Sequence, residues 1–220
     1  MTILEALEQR HSVRQFKDTP IGEEVCSALN SEIGAVNTES GLYVRLFTDE
    51  PEAFLAGEPH YGQFSGCRNY LAIYGTPGRA EDVGYYGQRL VLRAQQLGLN
   101  SCWVALTYRK GKVARRAENG KKLYIVIALG YGQTQGTAHR GKTAQEVSDL
   151  KEDDPEWYKD GIRAALMAPT AINQQKFRFR RDGNRVSLKA GLGFYAGMDL
   201  GIVKYNFEIG AGKDSFVWSE

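Results

Sequence analysis

The 220-residue chain is poor in cysteine: Cys26, Cys67 and Cys102 are odd in number and lack metal-ligand spacing. That excludes a disulfide framework and points to reduced thiols in a cytoplasmic protein. Histidine is equally scarce. His11, His60 and His139 are too scattered for a zinc site, so no metal is expected. No apolar run approaches the roughly 20 residues that cross a bilayer, and no membrane partner is expected. The first ten residues carry acids early and lack the layout of a signal peptide. An excess of one charge is missing too. Lys and Arg total 28 against 26 for Asp and Glu, a net charge of +2 that gives no global pull on nucleic acid.

What is present is ordinary globular material, 42% apolar and 25% charged. A chain of this length buries roughly 70% of the surface it exposes unfolded, enough for one large domain or two intimate lobes.

Ile3, Leu4 and Leu7 predict a short amphipathic helix, capped by Thr2 and running into basic residues. Thr19-Pro20 opens a second helix, with Ile21, Val25, Leu29 and Ile33 along one face. Leu42–Phe47 and Asn69–Tyr74 read as strands. Residues 81–97 form the clearest helix, stopped by Gly98. Ser101–Leu106 reads as a short buried segment, Lys122–Leu129 as an apolar strand, and 133–149 as a polar loop. Lys151-Glu152-Asp153-Asp154-Pro155 marks a boundary and a helix start, with the helix continuing to Ala168. Phe177–Arg180 and Val186–Lys189 flank Asp182-Gly183-Asn184 as a hairpin, and a last helix begins near Asp199.

Two segments carry chemistry. Arg10-His11-Ser12-Val13-Arg14 offers two guanidinium forks and a hydroxyl within five residues, which suits a phosphate dianion. A helix ending in solvated cations is the plainer alternative. Ala168-Pro169-Thr170-Ala171-Ile172-Asn173-Gln174-Gln175 offers a stiff corner and a carboxamide able to pair with a ring edge that both donates and accepts. A helix stop explains its proline but not the whole run. A third, basic stretch, Arg109 to Arg116 with Lys121 and Lys122, is read first as a solvated helix face. Nucleic-acid binding and docking of NADPH phosphates are its other readings.

The Pro-Thr segment resembles the Ala-Pro-Ser-x-x-Asn-x-Gln motif of the nitroreductase family. Thr170 replaces serine, and Lys176-Phe177 stands where the family often has Pro-Trp. The Arg-His-Ser segment resembles the family's other FMN-binding signature. Asp82-Val83-Gly84 and Leu97–Val104 look like its central helix and the strand-loop beneath the flavin. Ala128–Tyr131 with Arg140 and Lys142 resembles its closing strand and phosphate-binding cations. The likeness follows family order over residues 1–150, except that Ile33-Gly34-Ala35-Val36-Asn37 stands as a decayed Pro-Ser-x-x-Asn segment. Residues 155–212 supply the intact one.

A partial internal duplication accounts for this. Ala35-Val36-Asn37 echoes Ala171-Ile172-Asn173, and Asp82-Val83-Gly84 echoes Asp199-Leu200-Gly201. Residues 1–150 are then a first repeat, and 151–220 a partial second repeat completing the FMN site within one compact unit, as in a tandem-repeat branch of the family. The resemblance implies an α+β fold with an antiparallel-dominated sheet flanked by helices, and FMN in a cleft between the halves. It implies cofactor contacts from Arg10, His11, Ser12, Arg14, Pro169, Thr170, Asn173 and Gln175. Main-chain groups of Ala105, Leu106 and Thr107 would lie near flavin N5, and Arg140 and Lys142 near the phosphate. No side chain is expected to be catalytic, because the flavin carries the chemistry. The implied activity passes hydride from NAD(P)H to a small electrophilic acceptor such as a nitroaromatic, quinone or enone, in a monomer or homodimer. An FMN-binding protein without turnover, a sensor or reservoir, is the alternative. A flavin-free interaction module using the 109–122 face is the other rival.

Overall fold

The computed structural model describes residues 1–54, 63–118 and 120–219; His60 lies outside them. In chain order the helices are α1 (Ile3–Gln9), α2 (Glu23–Ser40), α3 (Ala80–Gln96), α4 (Lys110–Ala114), α5 (Ala144–Val147), α6 (Glu156–Leu166) and α7 (Ala196–Ala211). The strands are β1 (Tyr43–Phe47), β2 (Asn69–Gly75), β3 (Asn100–Val104), β4 (Lys122–Gly130), β5 (Phe177–Asp182), β6 (Arg185–Ala190) and β7 (Val217–Trp218). The class is α+β, with every strand pair antiparallel except β6–β7.

Internal packing divides the chain into two units. The first comprises Met1–Thr2, Gln9–Arg79 and Leu90–Ala138; the second comprises Ile3–Glu8, Ala80–Arg89 and His139–Glu220. These packed units have their own bounds, distinct in kind from the repeats expected at 1–150 and 151–220. Most of α1 and the first ten residues of α3 belong with the C-terminal part.

The first unit is built on a four-stranded sheet in the order β1-β2-β4-β3. All seven residues of β2 are buried, so the strand reads as an apolar run without alternation. Val13, Phe16, Tyr70, Ala72, Cys102, Val104, Val126 and Ala128 share one core cluster. Helix α2 begins at Glu23 rather than at Pro20, because Gly22 is still extended (φ −63°, ψ 153°) and occupies the N-cap. It runs to Ser40, with Leu29, Ile33 and Val36 buried. Residues 33–37 are therefore helix interior. The Asn37 carboxamide clasps β1, donating to Val44 O (3.1 Å) and accepting from Val44 N (2.7 Å).

In the second unit α6 and α7 lie against one another, and β5–β6 form the expected hairpin across a Gly183-Asn184 turn. Gly183 takes φ 58°, which a glycine supplies without strain. β7 adds to β6 in parallel through two residues, too few to leave a sequence pattern. The core is aromatic: Phe179 stacks on Phe207 at 4.8 Å, and Phe216 and Trp218 pack edgewise at 5.0 Å. Helix α7 begins at Ala196, three residues before Asp199. The expected 133–149 loop contains α5. Its capping box is legible in Thr143-Ala144-Gln145-Glu146, where Glu146 Oε2 accepts from Thr143 N at 2.8 Å.

Candidate functional site

The N-terminal donors belong to the first unit. Helix α1 ends at Gln9, and the chain then runs extended beside the edge strand β3, with Ser12 bridging Ser101 and Val13 N donating to Ser101 O at 3.0 Å. Val13 and Phe16 turn into the core. Three of the four expected side chains act on the Cys102 thiol. Burial pushes that thiol up; the Arg14 charge, a hydrogen bond with Ser12 and the Arg10 charge pull it back. Arg10 is 4% exposed, and burial lowers its guanidinium to about 10. His11 instead lies against the turn at Gly136, where a Cβ would come within 2.7 Å of the His11 Cβ. The result is a cationic, hydroxyl-bearing neighbourhood whose donors suit a phosphate. Cys102 at its centre was not anticipated, since the sequence separates it from Arg10 by 92 residues.

Beyond β3, residues 105–108 leave the sheet in a bend, with Leu106 exposed and its carbonyl accepting from Tyr108 N at 3.0 Å. The 109–122 stretch is not an open basic patch. Arg116 pairs with Glu50 (2.5 Å), Lys112 with Glu52 (2.9 Å), and Lys121 Nζ donates to Gly41 O (2.8 Å).

The Pro-Thr corner belongs to the second unit and is the most strained part of the described backbone. Ile172 (φ 48°), Asn173 (54°) and Gln175 (43°) are left-handed, and nearby Tyr195 (56°) is a fourth. A β-branched residue there is a genuine outlier, costing on the order of 1–3 kcal/mol, and must be held in place. Two buried groups hold it. Asp199 accepts from Ala171 N (2.9 Å) and from Gln174 Nε2 (2.7 Å). Burial raises its carboxyl above the usual range, against the pull of those donors. Gln175, 1% exposed, donates to Leu166 O (2.9 Å) and accepts from Lys142 N (2.6 Å), while Lys142 Nζ reaches Gln175 O at 2.9 Å.

Gln175 and Lys142 thus brace the corner. Asn173 is exposed and donates through Nδ2 to the Arg140 carbonyl at 2.7 Å. Thr170 Oγ1 accepts from Gln175 N at 3.0 Å, and Pro169 is half-buried. Pro169, Thr170, Asn173, Gln175, Arg140 and Lys142 therefore come together in this unit. Asp199 and Gln174 were not singled out as site residues. No local signal marks a carboxylate that acts on a loop 28 residues upstream.

Among the described residues no group of His, Cys, Asp and Glu could hold a metal ion. Nor is any described helix long and apolar enough to cross a membrane.

The sequence model of the family described as "Putative TM nitroreductase" matches residues 2–211. No curated protein matches the chain. Among solved structures, a "putative nitroreductase" from Thermotoga maritima is similar over 97% of this chain and 85% of its own, at 20% identity and a TM-score of 0.71. A "putative nitroreductase in complex with FMN" from Desulfovibrio desulfuricans is similar over 70% of this chain and 99% of its own, at 20% identity and a TM-score of 0.53. A protein from Parabacteroides distasonis, titled "Putative NADH dehydrogenase/NAD(P)H nitroreductase", is similar over 69% and 98%, at 22% identity and a TM-score of 0.53. At these identities the likeness is one of fold.

Proposed function

The chain belongs to the nitroreductase family described as "Putative TM nitroreductase", and on that premise we propose that it is an FMN-dependent oxidoreductase. It passes hydride from NAD(P)H to an electrophilic acceptor such as a nitroaromatic, quinone or enone. The observation that carries the reading is the buried Arg10 guanidinium in the same unit as Ser12 and Arg14, all three acting on the Cys102 thiol. A guanidinium desolvated to 4% exposure is costly, and a phosphate dianion offsets that cost with charge-assisted hydrogen bonds. The donor set fits the phosphate end of FMN.

When bound, FMN supplies two-electron chemistry at its N5, so no nucleophile or paired acid and base is required of the protein. Arg10 and Ser12 would hold the phosphate. Arg14 would add positive charge to the site. Main-chain N–H groups of the 105–107 bend would serve as donors to the ring. In the second unit, Thr170 and Asn173 present polar groups for a flavin ring edge on a corner fixed by Gln175, Lys142 and Asp199. Asn37 has no such freedom, because its carboxamide is closed on Val44 within α2 and β1.

The test is an absorption spectrum of the purified protein, before and after FMN and then anaerobic NADPH. The proposal expects one flavin equivalent per chain, bleached within seconds. A flavin band that resists both NADH and NADPH leaves an FMN binder without turnover. No band even with added FMN overturns the site.

A further inference from the structure

We propose that the β5–β6 ribbon and the loop that follows it dock on an anionic lipid surface. Along β5 the side chains alternate strictly: Phe177 and Phe179 are buried, while Arg178 and Arg180, with Lys176 just before them, face solvent. Lys189 of β6 stands directly opposite Arg178 and is also exposed. Like charges paired across an antiparallel ladder destabilise it, so this face is kept basic against a folding penalty. Among the described residues none of these four cations pairs with a carboxylate. Arg178 donates only to the neutral Gln145 carbonyl at 2.9 Å. Asp182, the one acid in the ladder, stands at the far end, opposite Arg185.

An apolar tip follows the ribbon directly in the chain. A Cβ on Gly191 would lie 3.3 Å from the Lys176 Cβ, so the last position before the tip stands beside Lys176 at the basic end of the ribbon. Leu192 and Phe194 then stand 94% and 78% exposed. The tip is held rather than loose: Gln174 Nε2 donates to Phe194 O at 2.7 Å, and the left-handed Tyr195 closes the loop into α7.

Two protruding apolar side chains beside a cluster of unpaired cations match a bilayer interface. There Leu192 and Phe194 enter the headgroup–acyl boundary while Lys176, Arg178, Arg180 and Lys189 meet anionic headgroups. Charge complementarity selects the anionic lipid, and the aliphatic tip selects lipid over a phosphodiester backbone, on which leucine has nothing to stack. Such contact needs no spanning segment. It is also independent of the flavin reading.

The test is cosedimentation of the whole protein with vesicles of pure phosphatidylcholine and with vesicles holding about 30% phosphatidylserine. Binding is expected to the second only, weakening as salt rises. Each neutralised cation lowers partition roughly fivefold, so Arg178→Gln with Lys189→Gln lowers it about 25-fold. Leu192→Ser with Phe194→Ser lowers it by tenfold or more. Lys122→Gln, a basic change on β4, leaves it unaltered. All these side chains are exposed, and matching thermal melts establish that the variants fold. Failure to bind anionic vesicles overturns the proposal, as does binding that ignores both double variants or falls equally with Lys122→Gln. Ribbon-dependent binding of an oligonucleotide without vesicle binding assigns the face to nucleic acid instead.

Discussion

Gly84 of α3 and Gly201 of α7 meet reciprocally within the second unit. A Cβ on Gly84 would fall 1.9 Å from the Met198 carbonyl oxygen, and one on Gly201 would fall 1.9 Å from the Glu81 carbonyl oxygen. Each glycine faces the residue three positions before the other, as a local two-fold requires. Both sit in an Asp-x-Gly run, the pair of segments read in the sequence as an internal echo. Alanine in an ordinary helix interior gains about 1 kcal/mol over glycine. Here it strikes backbone that cannot rotate away. Gly84→Ala and Gly201→Ala should each destabilise by about 1–3 kcal/mol, and by similar amounts. Urea unfolding measures this, and free tolerance of one but not the other would end the two-fold reading.

Asp199 governs the strained corner. Burial holds its folded carboxyl above the ordinary value of 3.8, so the fold favours the neutral acid. Its contribution is then fullest below 3.8 and declines as pH rises through the raised folded value. The stability gap between the parent and Asp199→Asn should shift against the parent as pH climbs from 3.8 across the acid range. A gap that stays flat means the carboxyl titrates normally. Asp199→Ala removes the acceptor for Ala171 N and Gln174 and should cost on the order of 3 kcal/mol.

Tyr85 makes the opposite end of the pH scale informative. Burial, and next its hydrogen bond to Glu208 Oε2 at 2.5 Å, push its phenol up to about 12. Stability from this group is complete below 10 and lost as pH rises through about 12. Tyr85→Phe should cost about 1.5–3 kcal/mol at neutral pH. That deficit should shrink between pH 10 and 12, as followed by alkaline unfolding.

Arg10 should separate folding from cofactor retention. Its guanidinium is lowered to about 10 by burial, the mark of a charge the protein shelters at a cost. Arg10→Met should abolish most of the rise in melting temperature that added FMN gives the parent, each protein being compared with its own flavin-free form. Parallel melting shifts in both proteins would remove Arg10 from the phosphate site.

The elements most legible in the sequence were those with a single dominant signal. Residues 81–97 announced α3 through a one-sided apolar stripe and Gly98, and the structure ends the helix at Gln96 with Gly98 at φ 83°. The Asp182-Gly183-Asn184 turn announced its hairpin. Less legible were features made by distance. β7 is two residues long, and Asp199 acts on Ala171 and Gln174 across a gap no local pattern spans. At the candidate site, the motifs pointed to Arg10, Ser12 and Arg14, and to the corner from Pro169 to Gln175. They did not reveal that Gln175 and Lys142 face each other as braces, or that a thiol lies among the N-terminal donors. A motif names which side chains share a neighbourhood; burial and partners decide which of them remain available.

The second unit takes residues Ile3–Glu8 from the very start of the chain and residues up to the end. A helix made early must therefore wait for segments made later, and two loops close along the way, from Glu8 to Ala80 and from Arg89 to His139. Severing the chain at residue 150 leaves every segment of the first unit on one fragment, since that unit ends at Ala138, but strips the second of Ile3–Glu8 and Ala80–Arg89. The C-terminal segment by itself is not a unit.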